Sequence, residues 1–207
     1  QAYFLIEEGA LPQQIDKVFL DFGFAMGPLA VGDLAGLDVS YLVRKRQKQF
    51  IKPGERWPLA ADRVVEAGRK GQKTNAGWYR YEEGSRKPLP DPEVQKIIEA
   101  TSAELGIARR DITDQEIHER CFYALINEGA KILDEGMAQR ASDIDTIWTN
   151  GYGFPIAKGG PMFHADQVGA KHVYERLAHW AKVASPVLEP APLLEKLART
   201  GGTFADL

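Results

Sequence analysis

Gly27-Pro28-Leu29-Ala30-Val31-Gly32-Asp33-Leu34-Ala35-Gly36 is a short helix with its own punctuation. Proline is tolerated at a first helical position, where its missing N–H has no intrahelical acceptor to serve, and glycine closes helices at the other end. The same arrangement returns as Gly160-Pro161 followed by Asp166 and Gly169, and Tyr41 and Tyr174 follow at matching distances. Working towards the N-terminus, Gly23-Phe24 recurs as Gly153-Phe154, Ile15-Asp16 as Ile144-Asp145, and Glu8-Gly9 as Glu135-Gly136. The spacing between partners lengthens slightly along the chain, as small loop insertions make it. The pattern predicts a duplicated helical domain, one copy over residues 1–90 and a second over 107–200. The charged, proline-containing stretch from Glu82 to Pro92 serves as linker. Two copies are too few for a solenoid. Each copy is large enough for a small core, and both gain by burying helix faces on each other as a pseudo-dimer.

The rest of the chain extends the helical reading. Pro12 opens a helix whose apolar residues Ile15, Val18, Phe19 and Phe22 fall at helical spacing until Gly23. Asp38 is a candidate cap for a helix running through Tyr41 and Val43 into a basic end. Asp91-Pro92 caps and starts another helix, which stops at Gly106. Thr113 to Glu116 is a capping box opening one long helix to Gly136, with Ile117, Cys121, Phe122, Leu125, Ile126, Ile132 and Leu133 as its apolar stripe. Only Gly77 to Tyr81 looks extended. The predicted class is all-α.

Composition excludes several functions. The 207 residues carry a formal charge of -3, with 44% hydrophobic and 27% charged residues, so nothing electrostatic favours nucleic acid or an anionic membrane. Cys121, the single cysteine, can form neither an internal disulfide nor a metal cluster alone, which fits a reducing compartment. No apolar run approaches the roughly 20 residues that span a bilayer, and no signal peptide is visible. The final Ala205-Asp206-Leu207 differs from the peroxisomal Ser-Lys-Leu signal, so a cytoplasmic, bacterial-type location is expected. The chain starts at Gln1 inside an apolar pattern, without an initiator Met, as a piece of a longer protein does.

Catalytic candidates are few. A dinucleotide fingerprint needs strand, glycine-rich turn and helix so that a helix N-terminus holds the pyrophosphate. Gly151-Tyr152-Gly153 lacks the strand, and Pro155 follows at once; it reads as an interhelical loop. His118, His164, His172 and His179 have neither zinc spacing nor a nucleophile partner. Cys121 lies on an apolar stripe, where a buried structural thiol is the plain reading. Arg44, Lys45, Arg46, Lys48 and Lys52 could attract a phosphate, but a solvated helix C-terminus explains them. Arg69, Lys70 and Lys73 sit among glycines in a loop that is structural or functional. In Gly23-Phe24-Ala25-Met26-Gly27-Pro28-Leu29, glycines permit close backbone approach while Phe24, Met26 and Leu29 supply adaptable apolar surface. Such a turn could line an acyl tunnel or simply pack helices.

These stretches resemble a known family. Glu7-Glu8-Gly9-Ala10, Asp33 to Asp38, Gly68 to Thr74 and Gly77 to Tyr81 look like the C-terminal domain of 3-hydroxyacyl-CoA dehydrogenases. Glu119 to Glu128, Asp143 to Asp145, Gly151 to Pro155 and Gly159 to Phe163 resemble its second copy in multifunctional β-oxidation enzymes of peroxisomes and bacteria. The resemblance implies two tandem domains like the C-terminal domain of 6-phosphogluconate dehydrogenase. It implies NAD in the intact parent enzyme, an acyl-CoA substrate, and upstream dehydrogenase and enoyl-CoA hydratase domains. The family's catalytic His and Glu belong to the missing Rossmann domain, so no catalytic, cofactor-binding or metal residue is expected in this chain, and none of its own cofactors. Phe24, Met26, Gly27, Pro28 and Leu29 are the expected substrate-cleft wall. The competing expectation is a free-standing helical interaction module without catalysis.

Overall fold

The computed structural model describes residues 1–51 and 56–207; Lys52 of the basic run lies outside them. The chain is helical, and the only β-type pairing among the described residues is isolated bridges linking Gly71 with Ala76, Ala76 with Arg80 and Arg80 with Leu89. The segment expected to be extended, Gly77 to Tyr81, instead bends at Gly77 to Tyr79, where the Gly77 N–H donates to the Tyr79 carbonyl, and its β-type pairing runs only through Arg80.

Two compact units divide the chain. The first holds Gln1–Asp21 and Met26–Asp114, the second Phe22–Ala25 and Gln115–Leu207. The first contains α1 (Ala2–Glu8), most of α2 (Pro12–Phe22), α3 (Pro28–Ala35), α4 (Leu37–Gln47), α5 (Leu59–Glu66) and α6 (Pro92–Glu104). Proline starts α2, α3 and α6, and the Asp91 side chain accepts the Glu93 N–H at 3.0 Å to cap α6. Asp38 plays a different part from the expected cap. It lies inside the first turn of α4, and its carboxylate takes Lys73 Nζ at 2.5 Å. Leu5, Ile6, Ile15, Ala60, Val64, Trp78 and Ile98 form the core of this unit.

The second unit holds α7 (Asp114–His118) from its second residue, α8 (Ala124–Asp134), α9 (Ala141–Gly151), α10 (Pro161–Val168), α11 (Ala170–Val183) and α12 (Pro192–Thr200). The single long helix expected from Thr113 to Gly136 is interrupted. Glu119–Tyr123 form a π-helical turn between α7 and α8, which rotates every later side chain relative to an ideal α-helix. Ile117, Phe122, Ile126, Phe154, Met162, Val173, Leu177, Leu194 and Phe204 make the core. Arg120, with no exposure, is held by Glu116 at 2.9 Å, and Glu119 accepts from Arg176, Trp180 and Gln115. Buried charges persist where they are paired and fully hydrogen-bonded.

Candidate functional site

Side-chain acceptors that bind the start of another segment organise the first unit. Asp16 Oδ1 accepts the Leu29 N–H and Oδ2 the Ala30 N–H, each at 2.9 Å. The carboxylate thereby fills the open N-terminus of α3, whose first four N–H groups have no partner within the helix. The Tyr79 hydroxyl donates to Asp16 Oδ2 at 2.7 Å. Asp33, one turn along α3, accepts the Trp78 N–H at 2.9 Å, the Tyr79 N–H at 3.0 Å and the Tyr81 hydroxyl at 2.9 Å. Glu7 accepts the Ala60 N–H at 3.0 Å, at the start of α5.

The second unit repeats this arrangement. Asp145 accepts the Met162 and Phe163 N–H groups at 2.7 and 3.1 Å. Asp166 accepts those of Phe204 and Ala205 at 2.8 and 3.0 Å. Asn127 accepts the Ala191 N–H at 2.7 Å, one residue ahead of α12. The last of these revises one sequence match. Glu7-Glu8-Gly9-Ala10 corresponds by hydrogen bonding to Asn127-Glu128-Gly129-Ala130 rather than to the stretch at Glu135-Gly136. Identity alone missed it, because a glutamate and an asparagine do the same accepting.

Burial pushes the Asp16, Asp33 and Asp145 carboxyls above the usual carboxylate range, Asp33 to about 6. Such shifts often mark acid–base catalysts. Here the donors that meet each carboxylate are backbone N–H groups and tyrosine hydroxyls of its own chain, so each acts as a clamp.

The turn expected to line a substrate cleft is distributed unevenly. Gly27 and Leu29 are buried, Leu29 with 1% exposure, while Met26 is 37% exposed and Pro28 half-buried. A Cβ on Gly27 would lie 2.3 Å from Asp16 Cγ. The glycine is therefore required by the Asp16 clamp, and Gly27 and Leu29 set the shape of the turn. Phe24 belongs to the second unit, where its ring lies 5.5 Å from Phe154 and 6.0 Å from Phe22 and Phe122.

Several of the remaining candidates have structural employment. Arg44 donates to Asp62 at 2.8 Å, Arg69 holds the Gly77 carbonyl at 2.9 Å and Asp91 at 2.5 Å, and Lys73 holds Asp38. Lys45, Arg46 and Lys48 are exposed. Burial raises the Cys121 thiol, which disfavours the nucleophilic thiolate. His172 and His179 pack edge-on against Tyr123 and Trp180. His164 and His118, both pushed down by burial, sit among phenylalanines. No group of three or more metal-ligating side chains converges among the described residues.

A family model described as 3-hydroxyacyl-CoA dehydrogenase, C-terminal domain, matches residues 1–81 and 117–203. The chain belongs to that family. It is 48% identical over 97% of its length to the peroxisomal bifunctional enzyme of Danio rerio and 43% identical over 97% to that of Homo sapiens. In both cases it spans 30% of the relative's length. The crystal structure of the dehydrogenase part of multifunctional enzyme 1 from C. elegans superposes with a TM-score of 0.67 at 31% identity, covering 91% of this chain and 42% of that one. These findings overturn the cytoplasmic, bacterial-type location expected above, because both curated relatives are named peroxisomal. Compartment is set by short receptor-read addresses rather than by helix packing, so the domain carries no physical imprint of it.

The family implies NAD in the parent enzyme, and the two Gly-Pro helix starts here do not fit its pyrophosphate. A helix N-terminus binds phosphate through free N–H groups and its positive dipole end. The N-termini of α3 and α10 are already filled by the Asp16 and Asp145 carboxylates, which would repel a second anion.

Proposed function

We propose that this chain is the helical C-terminal part of a peroxisomal, NAD-dependent 3-hydroxyacyl-CoA dehydrogenase of fatty-acid β-oxidation. It consists of two copies of one domain, residues 1–90 and 107–200. The matched clamps at Asp16 and Asp145, Asp33 and Asp166, and Glu7 and Asn127 carry the duplication. Each pair performs the same hydrogen bonding inside its own unit.

In the parent, an upstream domain would hold NAD as the hydride acceptor for the 3-hydroxyacyl-CoA and would supply the acid–base chemistry. This chain's part is to bind and orient. Met26 and Pro28 offer apolar surface to the acyl chain, held in one geometry by Gly27 and Leu29, which Asp16 locks, and Phe24 offers its ring from the second unit. A preformed wall lowers the ordering cost of binding. On α3 and α4, Val31, Leu34, Val39, Leu42 and Val43 are exposed at 47–61%, and exposed apolar side chains gathered on neighbouring helices are the kind that another domain covers. That surface supports a partnership with the upstream dehydrogenase domain, with an enoyl-CoA hydratase domain further upstream.

Met26→Ala in the parent enzyme tests the wall. Removing most of an apolar side chain from an acyl pocket should raise KM for a long-chain 3-hydroxyacyl-CoA by about tenfold and leave kcat on a short-chain substrate unchanged. An unchanged KM for both substrates contradicts the assignment.

A further inference from the structure

The chain leaves the first unit at Asp21, contributes four residues to the second, and returns at Met26. Those four residues enter an aromatic cluster. The Phe22 ring stacks on Phe122 with centroids 4.4 Å apart, meets His164 edge-on at 5.0 Å and Phe154 edge-on at 5.5 Å, and lies 5.7 Å from His118. Lys158 Nζ sits 5.3 Å from the centre of the same ring, within cation–π range. Phe24 packs edge-on against Phe154 at 5.5 Å. Gly23, between them, passes so close to Pro155 that a Cβ there would lie 3.1 Å from its Cγ. Phe122 and Phe154 are both 2% exposed, so their rings are fixed by the core of the second unit. His164 Nε2 is buried without a hydrogen-bond partner. That arrangement is costly for a polar atom and leaves the imidazole serving as an aromatic face.

We propose that Phe122 and Phe154 of the second unit are positioning residues for Phe24, so that the second unit takes part in setting acyl-chain selectivity. The inference rests on the reading of Phe24 as substrate wall. Its physical basis is that an aromatic side chain on a glycine-flanked turn has little local restraint of its own. Edge-to-face and offset contacts with two core rings restrict it to one orientation, each contact contributing beyond simple burial. Alternative roles for the cluster, such as plain cohesion of the second unit, predict loss of stability without any change in substrate preference.

The test is a double-mutant cycle in the full-length parent enzyme, assayed on a short-chain and a long-chain 3-hydroxyacyl-CoA after folded fractions are matched by circular dichroism. Phe122→Leu keeps an apolar side chain but removes the ring; Phe154→Leu replaces it in the cycle if the first variant does not fold. The expected result is a KM for the long-chain substrate raised about fivefold, the size that loss of one aromatic contact gives, with kcat on the short-chain substrate unchanged. In a Phe24→Ala background the same core substitution should then have no further effect, because its route to the substrate is gone. An equal KM change with and without Phe24 overturns the proposal, as does a core variant that leaves KM unchanged while Phe24→Ala alone alters it. If Phe24→Ala alters neither substrate's KM, the reading of Phe24 as wall fails, and the proposal fails with it.

Discussion

A methyl group added to Gly27 would stand 2.4 Å from Asp16 Cβ, and one added to Gly160 would stand 2.4 Å from Asp145 Cβ. In neither case can the aspartate swing away without abandoning the N–H groups it clamps. Gly27→Ala and Gly160→Ala should therefore each lower the stability of the chain by about 1–3 kcal/mol, the usual cost of overpacking. The two differ in backbone conformation. Gly27 has φ −78°, which any residue adopts, whereas Gly160 has φ +110°, where a side chain is strained by about a further 1 kcal/mol. Chemical denaturation of the two variants should rank Gly160→Ala as the less stable, and the reverse order would contradict the geometry. Activity should rank them differently: in the parent enzyme Gly27→Leu should raise KM more than Gly160→Leu per folded molecule. Much of this was legible before the structure. Aspartate ahead of Gly-Pro is visible in the sequence in both halves, and so is the glycine that tolerates it. The correspondence of Glu7 with Asn127 was not, since it is a match of hydrogen-bonding role between different residue types. A search for acceptors ahead of the apolar helix starts at Ala60 and Ala191 would have found it.

At the scale of elements, helix starts were legible where proline and an aspartate stand together, as at Asp91-Pro92. Apolar spacing failed at the π-helical turn Glu119–Tyr123, whose extra residue shifts the helical phase: of the expected stripe Ile117, Phe122 and Ile126 are buried, whereas Cys121, Leu125, Ile132 and Leu133 are half-buried. It also failed to place Phe22–Ala25, whose aromatic partners at 118–122 and 154–164 are distant in sequence. That packing carries a pH signature. Burial, with the nearby His118 and Lys158, pushes His164 down to about 4. In the unfolded chain a histidine takes up its proton near pH 6.5. Between those values the unfolded state binds more protons, so His164 contributes stability above pH 6.5 that is lost as pH falls from 6.5 towards 4. Asp33 works in the opposite direction: raised to about 6, it binds its proton first in the folded state, and its contribution grows as pH falls from 6 towards 3.8. Thermal midpoints of the 207-residue chain between pH 7 and 4, compared with His164→Gln, separate the two. The substitution should flatten the acid loss, and an unchanged profile would show that His164 is not held neutral.

On the scale of the whole molecule, two units with matched clamps account for the helical class and for a family match in two stretches. We assign the family's catalytic apparatus to a domain upstream of this chain. Chemistry that depends on an acid–base pair and a bound hydride acceptor needs both to be held against the substrate. The buried carboxylates here are engaged with backbone N–H groups, tyrosine hydroxyls or arginines. Compartment, too, was illegible in helix spacing, and the relatives' names contradict the cytoplasmic expectation. The most direct measurement of the central claim is NADH oxidation with acetoacetyl-CoA, run side by side on the full-length parent and on this chain alone at equal molar concentration. The account predicts steady turnover by the parent and none above background by the chain. Turnover by the chain alone, or a folded parent without dehydrogenase activity, would contradict it.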